Sequence, residues 1–166
     1  MPKRLLMLFA LVFSLPSLAA EPISEYAMKA TYLYNFAVFT EWPSGGETLN
    51  LCLIGQDRFG SALGRIEGKN VNGRRLSVAR LSTVHNIKSC HILFVSEDEV
   101  LNMRSILDEV GELPVLIVTD TPVQSGAMIV VAAEGQRLTF DINNELAKRA
   151  RLNISSKLLQ LAKNVR

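Results

Sequence analysis

Three short, mainly apolar runs lie in the middle of the chain, and helical patterns separate these runs. The runs cover residues 49–54, 91–95 and 115–118. Runs of this length and composition are typical of strands that a parallel sheet buries on both faces. The pattern therefore predicts an α/β fold with a largely parallel central sheet and helices on both faces.

Two of the helical patterns have clear boundaries. The first is predicted to begin at Ser24 and to continue to Trp42, where Pro43 stops it. The second is predicted to begin at Ser96, because three acidic residues follow it and the helix dipole favours negative charge in a first turn. That helix is predicted to end at Gly111.

The C-terminal part of the chain changes to a different pattern. Residues 128–132 and 137–142, which the Glu134-Gly135 turn joins, are predicted to form an antiparallel hairpin at the edge of the sheet. Asn143 and Ser155 are suitable N-caps for two short C-terminal helices. Since no repeat or linker interrupts this order, residues 21–166 are predicted to form a single domain.

The first twenty residues have the pattern of a signal peptide. Lys3 and Arg4 precede an apolar stretch over residues 5–15, and small residues lead to Ala20. We expect cleavage after Ala19 or Ala20. The stretch is too short for a transmembrane anchor, which needs about 20 apolar residues, so the mature protein is expected to be exported and soluble.

The charge of the expected mature protein argues against nucleic-acid binding. The full chain has 18 basic and 16 acidic residues. Loss of Lys3 and Arg4 with the signal peptide leaves 16 of each and a net charge near zero. A surface without a basic stripe cannot neutralise many phosphates, so nucleic acid is not an expected partner.

The sequence contains no recognisable catalytic or metal-binding pattern. Cys52 and Cys90 are far apart and do not form a Cys-x-x-Cys motif. His85 and His91 lack a cysteine or carboxylate at the spacing of metal ligands. A Gly-x-Ser-x-Gly elbow and a phosphate-binding loop are also missing from the sequence. We therefore expect a protein that is not an enzyme and holds neither cofactor nor metal.

Two acidic residues follow predicted strands at positions where open α/β sheets often bind ligands. Asp57 lies in a glycine-flanked turn over residues 55–60, and Asp120 follows the strand over residues 115–118. A helix cap and a turn before Pro122 explain these residues equally well. A small-molecule binding or sensory protein therefore remains an alternative function.

The first helix has a second apolar face opposite the one expected to pack on the sheet. This face carries Met28, Tyr32, Phe36 and Phe39. Because aromatic stripes are common in interface cores, these four residues are candidates for a partner or homodimer interface. The alternative is that the helix after Ser155 covers them within the monomer.

The chain resembles the YfiR family over nearly all of residues 21–166. The resemblance lies in the order and spacing of several blocks, which read KATYLYNF at 29–36, FTEWP at 39–43, LCLIG at 51–55, CHILF at 90–94, GAMI at 126–129, FDIN at 140–143 and LNISSKLLQLA at 152–162. Such proteins are periplasmic regulators. They bind the periplasmic sensory part of a membrane-anchored diguanylate cyclase and repress it, which lowers cyclic di-GMP signalling and biofilm formation.

The resemblance also implies a second partner and a disulfide. An OmpA-like outer-membrane lipoprotein is the expected partner that releases the cyclase by capturing the regulator. Cysteines recur in the blocks that contain Cys52 and Cys90, and disulfides persist in the periplasm, so these two residues are predicted to form a bridge. Two buried free thiols are the alternative, because a bridge directly across parallel strands is geometrically awkward.

Overall fold

The structure is a computed structural model that describes residues 24–122 and 126–166. The predicted signal peptide, residues 1–20, and its cleavage site lie outside the described residues. The helices are α1 (Glu25–Val38), α2 (Met103–Val110), α3 (Asn144–Arg149) and α4 (Ser156–Leu161). Three segments form 3-10 helices, namely Gly60–Arg65, Val84–Ser89 and Glu97–Asn102.

Within the described residues, ten strands form a large sheet and a small one. The strands are β1 (Thr40–Glu41), β2 (Thr48–Ile54), β3 (Asn70–Val71), β4 (Arg74–Leu81), β5 (Ile92–Val95), β6 (Leu116–Thr119), β7 (Ile129–Glu134), β8 (Arg137–Ile142), β9 (Asn153–Ile154) and β10 (Asn164–Val165). The eight-stranded sheet has the order β10-β8-β7-β6-β5-β2-β4-β3, and β1 pairs with β9 in the small sheet. From β4 to β7 all neighbours are parallel, whereas β7 and β8 form an antiparallel hairpin.

The central strands β5 and β6 are buried along their whole length because helices cover both faces of the sheet. On one face α1, α3, α4 and the 3-10 helix Gly60–Arg65 bury apolar side chains against the strands. On the other face α2 and the 3-10 helix Val84–Ser89 form a second apolar cluster. The predicted α/β class, the antiparallel C-terminal hairpin and the two short C-terminal helices are confirmed.

The two predicted C-terminal caps are present. Leu146 N donates to Asn143 Oδ1 at 3.0 Å, and Leu158 N donates to Ser155 Oγ at 3.3 Å. Each bond satisfies a backbone donor that the first turn of a helix leaves free. These short helices therefore begin where their local sequence predicts.

One predicted helix boundary and one predicted side-chain cap are wrong. α1 ends at Val38 and does not continue to Trp42, because the next residues leave the helix to pair with β9. Ser96 makes no side-chain cap, since its hydroxyl donates to Gln56 O at 2.9 Å. A 3-10 helix follows Ser96, and α2 begins only at Met103. In both places a long-range contact replaces the local preference.

No helix in residues 24–122 and 126–166 is long and apolar enough to cross a membrane.

Candidate functional site: an apolar groove beside the first helix

A groove of about 350 Å³ lies between the second half of α1, strand β8 and helix α4. Its floor consists of buried apolar side chains, which are Phe36, Leu138, Phe140 and Leu158. Its accessible walls are Tyr32, Phe39 and Leu161. Leu161 is 68% exposed, although apolar side chains of its size are usually buried. The groove therefore presents an apolar surface to solvent.

The structure separates the four residues of the predicted interface. Tyr32 and Phe39 are half-buried and line the groove. Met28 is half-buried and packs against the core outside the groove lining. Phe36 is fully buried, and its ring contacts that of Phe140 at 5.2 Å between centroids. Phe36 therefore supports the groove from below and is not available to a partner at the surface.

Sequence periodicity placed Phe36 on the wrong side of α1 because the helix has two apolar faces. The residue lies three positions after Leu33, which is also fully buried, and Phe140 of the hairpin strand β8 packs against Phe36. The predicted alternative, cover by the helix after Ser155, is present only in part. α4 contributes Leu158 to the floor and Leu161 to a wall but leaves the groove open.

Tyr32 joins α1 to β8 and so defines the shape of the groove. Its hydroxyl donates to Leu138 O at 3.1 Å, and its ring makes edge contacts with the rings of Phe36 and Phe140. We expect Tyr32→Phe to lower the free energy of unfolding by about 1 kcal/mol, because it leaves a partly buried carbonyl without its donor. Urea unfolding followed by circular dichroism would measure the difference.

Tyr34→Phe is the matched control for this variant. The Tyr34 hydroxyl donates to Asn70 O at 2.9 Å, but this hydrogen bond is exposed, so water can replace it. We expect a smaller loss than for Tyr32→Phe. Equal losses in the two variants would contradict a special role of the Tyr32 hydroxyl.

A polar cluster lies at the carboxyl end of β6, away from the groove. Lys29 Nζ is 2.7 Å from Asp120 Oδ2 and 2.5 Å from Glu25 Oε1, and the Tyr26 hydroxyl also donates to Asp120 Oδ2 at 3.2 Å. The side chains of Lys29 and Asp120 are only 6% and 8% exposed. Burial lowers the pKa of Lys29, but hydrogen bonds to Asp120 and Glu25 outweigh it, so the pKa lies above 10.5.

Sequence reasoning found Asp120 but missed its partner. The partner is Lys29, and a lysine on the buried side of a helix is itself a signal for a buried ion pair. Asp57, the other predicted strand-end residue, does not join the cluster. It accepts from Phe59 N at 2.7 Å and from Arg80 Nε at 2.6 Å, as a turn and ion-pair residue.

Neither histidine lines the groove. His85 is exposed and 3.6 Å from Glu109 Oε2. His91 is half-buried, with Nδ1 accepting from Asn50 N at 3.0 Å and Nε2 lying 2.7 Å from Arg74 Nη2. Burial lowers the pKa of His91, and the charge of Arg74 lowers it further. Within the described ranges, no three histidine, cysteine or acidic residues are grouped as metal ligands.

Cys52 and Cys90 form a disulfide in the structure, with their Cα atoms 5.8 Å apart. Both are buried in the apolar cluster that α2 covers. Cys52 is in register with Leu93, whereas Cys90 lies before β5 at the end of the 3-10 helix Val84–Ser89. The bridge therefore does not run directly across two parallel strands, which removes the geometric objection to it.

Two solved structures share this fold. A conserved domain protein from Vibrio cholerae O1 biovar El Tor superposes with a TM-score of 0.62 at 8% identity, over 86% of this chain and 60% of that one. An ABC domain in complex with L-Trp from Streptococcus pneumoniae superposes with a TM-score of 0.50 at 10% identity, over 71% and 56%. The chain thus spans 60% or less of these structures, and at such low identity the likeness concerns the fold alone.

The YfiR/HmsC-like family model matches residues 26–163, which include all of α1 except its first residue, the disulfide and all residues that line the groove. This match covers most of the chain and confirms the resemblance found in the sequence. The family consists of non-catalytic periplasmic regulators of diguanylate cyclase signalling. The chain belongs to the YfiR/HmsC-like family.

Proposed function

We propose that this protein binds the periplasmic sensory part of an inner-membrane diguanylate cyclase through the apolar groove and holds the enzyme inactive. The protein reaches the periplasm after cleavage of residues 1–20 and has no catalytic role of its own. Bound regulator keeps cyclic di-GMP synthesis low on the cytoplasmic side of the membrane. The function of the family supports this proposal at the level of the pathway.

The observation that carries the proposal is the apolar, solvent-accessible groove beside α1. Interface cores are rich in aromatic and aliphatic side chains, and a polar rim surrounds them. The groove has this composition, since Tyr32, Phe39 and Leu161 surround an apolar floor. Lys163, which pairs with Glu134, supplies charge at the rim. A groove bounded by two helices and a strand suits the apolar face of a helix from the partner.

Leu161→Glu tests the groove without disturbing the core, because the Leu161 side chain is largely exposed. We expect this variant to fold normally and to lose binding to the cyclase, since a carboxylate in an apolar contact is costly to desolvate. The immobilised protein would be incubated with detergent-solubilised inner membranes, and the captured material would be assayed for conversion of GTP to cyclic di-GMP.

Leu101→Glu is the matched control. Leu101 is 95% exposed in the 3-10 helix Glu97–Asn102 and does not line the groove. The Leu101→Glu variant should capture cyclase activity as the wild type does, and cells that produce this variant should keep low cyclic di-GMP. Cells with Leu161→Glu should have raised cyclic di-GMP. Equal capture by both variants would exclude the groove as the docking site.

Other occupants of the groove give different results in the same experiment. An OmpA-like outer-membrane lipoprotein that releases the cyclase would compete with it for the groove. Adding this lipoprotein would then lower the captured cyclase activity. A second copy of this chain would appear as a homodimer in light scattering, and Leu161→Glu would dissociate it. Capture of no cyclase, together with a small metabolite retained through purification, would favour a small-molecule binding protein instead.

A further inference from the structure

A second pocket, of about 170 Å³, shares no lining residue with the groove. It lies at the amino ends of β2 and β4, beneath the loop that follows β1. Trp42, Leu49 and Val71 form apolar walls, and Arg74 and Thr40 contribute polar groups. The pocket therefore combines an apolar body with one cationic side chain.

Arg74 has no acidic partner among the described residues. Its Nε and Nη2 donate to Thr48 O at 3.1 and 2.6 Å, whereas Nη1 donates only a long hydrogen bond of 3.5 Å to Ser44 O. Burial lowers the pKa of this arginine, which reflects the cost of removing its charge from water. Partly buried guanidinium groups usually pair with a carboxylate or phosphate. Arg74 Nη1 therefore has one hydrogen without a partner, and this hydrogen is available to an anion.

His91 cannot supply the missing acceptor. Its Nδ1 already accepts the hydrogen of Asn50 N, so the neutral ring carries its proton on Nε2. That nitrogen lies 2.7 Å from Arg74 Nη2, which is also a donor. Two hydrogen-bond donors thus face each other. An anion that attracts the guanidinium into the pocket would move Arg74 Nη2 away from His91 Nε2.

One further polar atom of the pocket residues lacks a partner. Thr40 is 1% exposed, and its Oγ1 has no hydrogen-bond partner within residues 24–122 and 126–166. The acidic residue in the lining, Glu41, is exposed and accepts from Asn153 Nδ2 at 2.9 Å. Glu41 is thus held by β9 and leaves Arg74 without a counter-ion.

We propose that this pocket binds a small monocarboxylic acid with an apolar body. The carboxylate accepts a hydrogen bond from Arg74 Nη1, and the apolar body packs against Trp42, Leu49 and Val71. A charge-assisted bond to a guanidinium is roughly twice as strong as a neutral hydrogen bond. The pocket is smaller than the roughly 300–1,000 Å³ of sites for drug-sized ligands, so the ligand is about the size of benzoate.

Trp42 is the single tryptophan of the chain and lines the pocket, so its fluorescence reports binding directly. We expect benzoate to change the emission saturably and benzamide, which has a similar shape but no charge, to leave it unchanged. Arg74→Gln should weaken benzoate binding at least about tenfold, because the charge-assisted contact is lost. Arg75→Gln removes the same charge from the next residue, which is exposed and outside the pocket lining, and should bind benzoate as the wild type does.

Two further measurements keep the proposal testable if Arg74→Gln does not fold. Arg74→Lys keeps the charge but loses the planar fork, and it should also bind benzoate more weakly. In the wild type, benzoate should raise the pKa of His91 in a proton NMR titration, because the bound anion offsets the charge of Arg74. Equal responses to benzoate and benzamide, undiminished binding in a folded Arg74 variant, or no saturable response in the wild type would each overturn the proposal.

Discussion

Loss of the Cys52–Cys90 disulfide is expected to lower the free energy of unfolding by about 4 kcal/mol. The bridge joins residues 38 positions apart, and a loop of this length removes roughly that much chain entropy from the unfolded state. Both cysteines are buried beside α2, so the bridge also fixes the start of β5 against β2. Guanidinium unfolding of the oxidised wild type and of Cys52→Ala/Cys90→Ala would measure the loss.

The single variants distinguish a bridge from two buried free thiols. Breaking a disulfide at either end removes all of it, so Cys52→Ala and Cys90→Ala should each lose nearly as much as the double variant. If the two thiols were independent, each single substitution would lower the free energy of unfolding separately. The two losses would then add in the double variant, as they do for uncoupled sites. Additive losses, or two titratable thiols in the denatured and unreduced wild type, would contradict the bridge.

Asp120→Ala is expected to lower the free energy of unfolding by about 3 kcal/mol. The substitution leaves the buried ammonium of Lys29 without its buried counter-ion, and breaking a buried pair on one side commonly costs about 3–5 kcal/mol. The loss expected for Asp120→Ala lies at the lower end of this range because Glu25 remains beside Lys29. Urea unfolding near neutral pH would measure it.

Two variants serve as controls for this ion pair. Glu25→Ala removes the half-exposed partner of the same lysine and should cost less than about 1 kcal/mol. Lys29→Met/Asp120→Leu removes both charges and should recover most of the stability that Asp120→Ala loses. A double variant as unstable as Asp120→Ala would show that lost packing, and not the unpaired charge, causes the loss of stability in Asp120→Ala.

The ion pair also predicts a dependence of stability on pH. The folded state raises the pKa of Lys29 above 10.5, so its stabilising contribution is fully present below that pH. The contribution is lost as the pH rises through the folded-state pKa, because the lysine then loses its proton in both states. We expect the difference between the wild type and Asp120→Ala to become smaller over this alkaline range.

The sequence by itself determined the features that depend on local chemistry. The mainly apolar runs predicted the strands β2, β5 and β6, because such runs are typical of a sheet covered on both faces. Asn143 and Ser155 predicted the starts of α3 and α4, because a cap bonds to a backbone group three residues away. The family was also recognisable from the order of its sequence blocks.

Only the tertiary structure decided which distant residues meet. α1 stops at Val38 because Glu41 pairs with Asn153, 112 positions later, and no local pattern encodes that contact. The same holds for Lys29 and Asp120, which are 91 positions apart.

Tertiary packing also determined where the candidate sites form. A helix with two apolar faces does not specify which of its faces will be covered, so the burial of Phe36 became evident only with β8 in place. The apolar groove and the Arg74 pocket are both assembled from segments far apart in the chain. Their chemistry depends on packing between those segments, which periodicity along one segment cannot define.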